Sequence, residues 1–234
     1  MNIQRVMTAG LLAGLLLFAG AAPEADEDSL VYADFETIQD GRPVSARGGF
    51  VQLVAYQENN IAPSTFKGMD GATPAAPSIV RTSKESENKA AAWEYDLKAP
   101  NQWAGVGIEI KGRPDEGGKP SADDVSGYEA LMLQAFSQSP TADTLPVTVR
   151  IEFISRGFGF DLDVGYPQTT FRARPGFHTY RVPLDSITQP SWVETRFRLE
   201  DFLKKLTAIS ITAFCDSCRP QSGMLLIDNV VFEK

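Results

Sequence analysis

The chain has 234 residues, with 30 acidic against 22 basic side chains, a net charge of −8 and 43% hydrophobic residues. No cluster of Lys and Arg appears, and this balance excludes nucleic acid and anionic membrane surfaces, which are bound through clustered positive charge. The length fits one β-rich domain able to bury a real core. Its 2 cysteines and 1 histidine leave too few ligands for a zinc centre and too little material for a Ser or Cys nucleophile relay.

The N-terminus carries Arg5, an apolar run from Val6 to Phe18, and Ala19-Gly20-Ala21 before Ala22-Pro23. That order of charge, apolar run and small residues predicts a secretory signal over 1–21, cleaved after Ala21. The run is too short for a comfortable membrane span, so no stable membrane insertion is expected after cleavage. Residues 22–29 read as an acidic flexible leader, and 30–234 as one folded domain. The expected location is outside the cytoplasm, periplasmic or extracellular.

From Leu30 onward, short alternating or apolar runs are separated by Gly, Pro, Asn and Asp, which predicts an all-β fold. Strands are expected over Leu30 to Phe35, Phe50 to Tyr56, Ala91 to Leu97, Gly105 to Lys111, Ala130 to Ser137 and Val147 to Ser155. They continue over Phe158 to Val164, Thr169 to Ala173, His178 to Pro183, Ala208 to Phe214 and Met224 to Phe232, enough for two packed antiparallel sheets. Leu199, Phe202, Leu203 and Leu206 fall at helical spacing and predict one short helix capping the sandwich. Glu58 to Ser78 and Gly112 to Gly127 read as long exposed loops.

Asp161 and Asp163 alternate with Phe160, Leu162 and Val164, which places both carboxylates on one face. Two readings stay open: a half-buried strand with a wet outer face, or a polar row lining a sugar or cation site. Cys215 and Cys218, in an exported chain, predict a disulfide clipping one short loop. Trp93 and Tyr95 are assigned to the core, Trp103 and Trp192 to rims, and His178 to a strand with a local hydrogen bond.

Gly112 to Lys119 has the composition of a phosphate loop, but the glycine spacing is wrong and Pro120 stands where a helix should begin. No G-x-S-x-G, H-E-x-x-H or dinucleotide fingerprint is present. The expectation is therefore a protein that is not an enzyme.

The segment Gly223 to Lys234 is an apolar strand interrupted by Asp228 and Asn229. One of that pair must share a face with the flanking apolar residues, so it must be hydrogen-bonded or bound to a cation.

Six pieces in fixed order resemble a known group: Y-A-D-F-E at Tyr32 to Glu36, D-V-S-G-Y-E-A-L at Asp124 to Leu131, V-T-V-R-I-E-F-I at Val147 to Ile154, P-G-F-H-T-Y-R-V-P-L at Pro175 to Leu184, L-T-A-I-S-I at Leu206 to Ile211, and the closing G-M-L-L-I-D-N-V-V-F. The chain resembles the galactose-binding-like group, and more narrowly family 11 carbohydrate-binding modules and the related domain of the complex I intermediate-associated protein 30. The resemblance implies a jelly-roll β-sandwich with a concave sheet holding a glycan chain, a polysaccharide or oligosaccharide. It also implies a structural calcium, for which Asp228 stands at the C-terminal position, with Asp34 and Glu36 as the N-terminal ligands.

A glycan site needs aromatic faces and polar groups for hydroxyls. Alternation sets Arg150 and Glu152 opposite the apolar face of their strand, on the expected concave surface. Gln134 and Phe136 are expected beside them, with Tyr166 and Tyr180 on neighbouring strands or their ends. The leading expectation is a secreted, non-catalytic carbohydrate-binding module taking a β-glucan-like glycan. One alternative is an interaction or assembly module with an envelope protein as partner. The other is a glycoside hydrolase using a carboxylate pair.

Overall fold

The computed structural model describes residues 28–56, 76–84, 86–110, 121–138, 147–158, 165–215 and 221–234. The signal segment, most of the acidic leader, most of both long loops, all but Phe158 of the strand expected over Phe158 to Val164, with its Asp161 and Asp163, and Cys218 lie outside the described residues.

The strands are β1 (Ser29–Ala33), β2 (Ile38–Gln39), β3 (Arg42–Pro43), β4 (Val51–Ala55), β5 (Ser78–Arg81), β6 (Lys89–Leu97), β7 (Trp103–Glu109), β8 (Ala130–Gln138), β9 (Val147–Ile154), β10 (Gln168–Ala173), β11 (Gly176–Pro183), β12 (Ala208–Phe214) and β13 (Gln221–Glu233). Among the described residues one α-helix, α1 (Leu199–Leu203), stands where the helical spacing predicted it and buries Phe202 and Leu203. Two large antiparallel sheets form a jelly-roll β-sandwich. One is six-stranded, in the order β11-β8-β13-β6-β5, with β1 on the free part of β13; the other is five-stranded, in the order β10-β9-β12-β7-β4.

Alternation decides what lies between the sheets. On β9, Val147, Val149, Ile151 and Phe153 are buried against the core while Thr148, Arg150 and Glu152 face outward. On β6, Trp93 and Tyr95 turn into the same core, as expected of them. Burial of Trp93, Phe153, Phe202, Phe232 and the aliphatic residues around them supplies the main driving force, at about 25 cal/mol per Å² of apolar surface removed from water.

Strands β8 and β9, neighbours in sequence, belong to different sheets, with β8 between β11 and β13 and β9 between β10 and β12. Their outward faces therefore look to opposite sides of the molecule. The closing strand β13 carries a bulge between Asp228 and Val231, where it runs against β8. Asn229 takes the left-handed conformation there, φ 48°, which Asn tolerates better than most residues. The bulge resets the alternation, so Ile227 and Val230 both face the main core while Asp228 shares the outer face with Leu226.

Candidate functional site

A groove forms on the outer face of the five-stranded sheet because its central strands carry almost no side-chain height there. Strand β12 presents Ala208, Ser210 and Thr212, and β7 presents Gly105 and Gly107; the flanking β9 presents Arg150, Glu152 and Ile154, and β4 presents Gln52 and Val54. Small residues flanked by tall ones make a valley along the strands. Its open part measures about 320 Å³ and is lined by Gly107, Ser210 and Ala208 on the floor, Glu152 and Ile154 on one wall, and Gln52 and Val54 on the other. Trp103 stands at one end; Glu109 and Arg156 stand at the other, with Tyr166 and Trp192 on the rim beside Gly165.

The floor is specific to glycine in two ways. A Cβ on Gly105 would collide with the Ile211 carbonyl, so that residue permits the close approach of β7 to β12. A Cβ on Gly107 would make ordinary contacts with the Val54 and Gln52 side chains, at 3.4 and 3.7 Å, so the absence of a side chain there leaves space rather than relieving a clash. Gly165, at φ 64°, lies against the Trp192 ring and supports it as an exposed platform, 68% accessible.

Arg150 does not point into water. Its guanidinium carbon lies 4.4 Å from the centroid of the Phe214 ring and 5.6 Å from that of Trp103, and Nη2 sits 3.2 Å from the Glu152 carboxylate. Burial pulls the Arg150 proton affinity below the usual guanidinium range, opposed by Glu152. Burial likewise raises the Glu152 carboxyl above its ordinary range, opposed by Arg150. Glu109 is also raised by burial, with Arg156 as the opposing charge. The groove thus combines aromatic faces with charge-balanced acceptors and donors, a set suited to a neutral, hydroxyl-rich ligand.

The residues expected at the site separate. Arg150, Glu152 and Tyr166 belong to this groove or its wall. Gln134 and Phe136 do not, because they lie on the outer face of the six-stranded sheet. There Gln134 stands opposite Thr179 and Asp228, and Phe136 packs at 5.5 Å against Phe177 beside Leu226. Tyr180 pairs with inward-facing Leu133 and turns between the sheets, its ring 4.5 Å from Phe171 and its hydroxyl accepting a 2.7 Å bond from the Arg174 amide. It closes the sandwich edge. His178 makes the local contact expected of it, 2.9 Å from the Pro175 carbonyl.

Gln52, Gly107, Glu109, Arg156 and Ser210 were not among the expected site residues, and Trp103 and Trp192 were expected only on rims. The signal that points to them is the alternating glycine of W-A-G-V-G-I-E together with the small outward residues of A-I-S-I-T-A.

Asp228 is fully buried, on the outer face of the six-stranded sheet rather than toward the main core. Its Oδ2 accepts from Asn88 Nδ2 at 2.6 Å and Asn229 Nδ2 at 3.0 Å, and its Oδ1 from the Asn229 amide at 2.7 Å. Burial raises its proton affinity; those bonds oppose the shift, and the negative charges of Glu36 and Asp34 add to it. Phe35 makes this convergence possible: at φ 56° it is buried in the main core while Asp34 and Glu36 flank it. Glu36 Oε1 accepts from the Lys89 amide at 2.7 Å, and Asp34 Oδ1 from the Glu36 amide at 3.2 Å. Among the described residues, no group of three acidic, His or Cys side chains closes to metal-holding distance. Cys215 is buried beyond β12.

No family model and no curated protein sequence matches the chain. Solved structures do match its fold. A family 11 carbohydrate-binding module of the cellulosomal cellulase Lic26A-Cel5E of Clostridium thermocellum aligns with 88% of this chain and 94% of its own, at 13% identity and TM-score 0.51. A family 11 module from the same organism, in complex with a beta-1,3-1,4-mixed-linked tetrasaccharide, aligns with 88% of this chain and 95% of its own, at 13% identity and TM-score 0.52. A family 30 carbohydrate-binding module aligns with 78% of this chain and 91% of its own, at 8% identity and TM-score 0.51. The fold is the jelly-roll sandwich of these modules.

Proposed function

We propose that this protein is an exported, non-catalytic carbohydrate-binding module that holds a β-glucan-like chain in the groove of its five-stranded sheet. The observation that carries the reading is the valley itself: a floor of glycine and small residues, aromatic residues at one end and on the rim, and paired charges along its walls. From Trp103 to Glu109 it runs roughly 20 Å along the strands, long enough for several sugar units in line. Sugar C–H faces would stack on Trp192, Tyr166 and Trp103, and hydroxyls would bond Glu152, Gln52 and Ser210. The matched family 11 module in complex with a mixed-linked tetrasaccharide supports this ligand class.

The test is binding of the folded protein to a polysaccharide panel by affinity electrophoresis and calorimetry, with Glu152→Gln and Trp192→Ala as variants. Binding to a β-glucan, weakened in both variants, supports the reading. A blank across the panel from folded protein overturns it.

One observation favours a second reading, a glycoside hydrolase: Glu109 and Glu152 line one groove, and burial makes each carboxyl hold its proton more tightly. Release of reducing sugar from a bound glucan, abolished by Glu109→Gln, would establish it. The assembly-module alternative calls for a flat apolar face, and a pull-down from envelope fractions with the groove variants as controls tests it.

Calcium at Asp34, Glu36 and Asp228 is a separate proposal. The donors suit a hard cation in kind, and the mutual repulsion of the carboxylates supports it. Among the described residues the carboxylates do not close to metal-holding distance, so binding requires them to draw together. A melting temperature raised by calcium and lowered by a chelator would support it; no shift would leave Asp228 held by hydrogen bonds alone. The Cys215–Cys218 disulfide is likewise proposed, and thiol alkylation before and after reduction reads it by mass.

A further inference from the structure

The irregular segment 188–197, which leads into α1, carries Trp192, the groove-rim ring that is 68% accessible. Exposed irregular chain is ordinarily among the loosest parts of a protein. This segment is held at both ends. Thr188 and Gln168 exchange backbone hydrogen bonds at 2.9 and 3.1 Å, which fixes its start to the first residue of β10. Phe197 stacks on Phe202 of α1, with ring centroids 5.2 Å apart, which fixes its end.

Between those anchors the polar contacts converge on one side chain. Arg196 Nη1 donates to the Gln189 carbonyl at 3.2 Å and Nη2 to the Ser191 carbonyl at 3.3 Å, so one planar fork bridges the two carbonyls that flank Pro190. The second of them belongs to the peptide that enters Trp192. The Gln189 side chain completes the set: its Nε2 donates to the Thr195 carbonyl at 3.1 Å and its Oε1 accepts from the Phe197 amide at 3.1 Å. The Val193 amide donates to the Pro190 carbonyl at 3.1 Å, which sets Trp192 at the corner of a turn. Buried Val193 and the Trp192 ring both press on Gly165, where a Cβ would stand 2.5 Å from the one and 2.9 Å from the other.

Two hydrogen bonds at an exposed site add little to global stability, because water competes for both partners. What they remove is the freedom of the segment that carries Trp192. A stacking ring already fixed in the free protein binds more tightly than one that must be ordered by its ligand. We propose that Arg196 is a positioning residue for sugar binding: its fork on the Gln189 and Ser191 carbonyls holds the Trp192 ring at the groove rim as a preformed stacking platform. The sugar as ligand rests on the glycan reading of the groove; the hold of Arg196 on the segment does not.

The test is a double-mutant cycle of Arg196→Ala and Trp192→Ala, with affinity for the beta-1,3-1,4-mixed-linked tetrasaccharide read by calorimetry. Arg196→Ala alone should weaken binding about threefold, less than Trp192→Ala does, and should weaken it no further in the Trp192→Ala background. An equal loss in both backgrounds means that Arg196 acts on the glycan or the fold directly, and overturns the role. Arg196→Lys keeps the charge and lacks the planar fork, so it should bind as weakly as Arg196→Ala, and wild-type affinity in it also overturns the role. Without ligand, the ¹⁵N order parameter of the Trp192 indole N–H should fall into the flexible range, below about 0.6, in Arg196→Ala while the amides of β7 and β12 stay as in the wild type. An unchanged Trp192 order parameter overturns the hold itself. A wild type that binds no glucan overturns the groove reading and this role with it, whereas wild-type affinity in Arg196→Ala overturns this role alone.

Discussion

Arg150 lies over the ring of Phe214, 4.4 Å from its centroid, and reaches back to Glu152 at 3.2 Å. One side chain therefore ties strand β9 to β12 and neutralises a half-buried carboxylate in the groove wall. Arg150→Ala strands that carboxylate in a mostly desolvated site, and the expected loss is about 2 kcal/mol at neutral pH, below the ~3–5 kcal/mol of a fully buried pair because both groups keep some water. Burial already raises Glu152 above its unfolded value, so the native state binds its proton more tightly. That contribution is present at low pH and is lost as pH rises through the folded value. The Arg150→Ala deficit should shrink toward acid and be partly recovered by adding Glu152→Gln, both read by urea denaturation.

Gly105 and Gly107 are two residues apart on one strand and should respond oppositely to alanine. Gly105→Ala drives a methyl into the Ile211 carbonyl and should destabilise the sheet by several kcal/mol, of order ~3. Gly107→Ala meets the Val54 and Gln52 side chains at ordinary contact distances and removes backbone freedom from the unfolded chain, so stability should hold or rise by about 0.5–1 kcal/mol. Its methyl occupies the groove floor, and glycan affinity should fall. Melting curves together with calorimetry check both; an affinity unchanged in Gly107→Ala would remove the floor from the site.

Trp192 and Tyr180 separate exposure from function. Trp192 is 68% accessible on the groove rim, so Trp192→Ala should change stability by no more than ~0.5 kcal/mol while costing about 1 kcal/mol of glycan binding, roughly fivefold. Tyr180 packs between the sheets on Phe171, so Tyr180→Ala should destabilise by about 2 kcal/mol and leave the affinity of the folded protein unchanged. Equal affinity losses in both variants would return Tyr180 to the site.

The period of 2 along each strand was legible: Val147, Val149, Ile151 and Phe153 turn inward and Arg150 and Glu152 outward as alternation requires. The α1 spacing and the core positions of Trp93 and Tyr95 were legible for the same reason. Alternation within a strand does not say which sheet the strand joins, and this is why Gln134 and Phe136 were grouped with Arg150. The partners of β8 and β9 are set by pairings between residues far apart in sequence, which no local pattern encodes. Tyr180 was misassigned because an edge strand exposes both its faces in part. The bulge at Asn229 returns Val230 and Phe232 to the core face and leaves Asp228 with Leu226 on the outer one, an event of one residue that a period cannot register.

Asp228 carries the last prediction. Burial raises its folded proton affinity above the unfolded value, with Glu36 and Asp34 adding to the shift. The native state then binds more protons than the unfolded chain in the window just above the ordinary carboxylate range, and stability falls as pH rises through it. In chelator, the melting temperature should therefore drop between pH 4 and pH 7 by more in the wild type than in Asp228→Asn, whose side chain does not titrate. With calcium the order reverses if the cation binds here, because it pairs with the ionised carboxylate and stabilises the neutral-pH form, a gain Asp228→Asn loses. Differential scanning fluorimetry across that range, with and without calcium, separates the cases: parallel wild-type and variant curves in chelator would mean that Asp228 does not titrate there, and calcium-insensitive curves would leave the hydrogen bonds from Asn88 and Asn229 as its whole support.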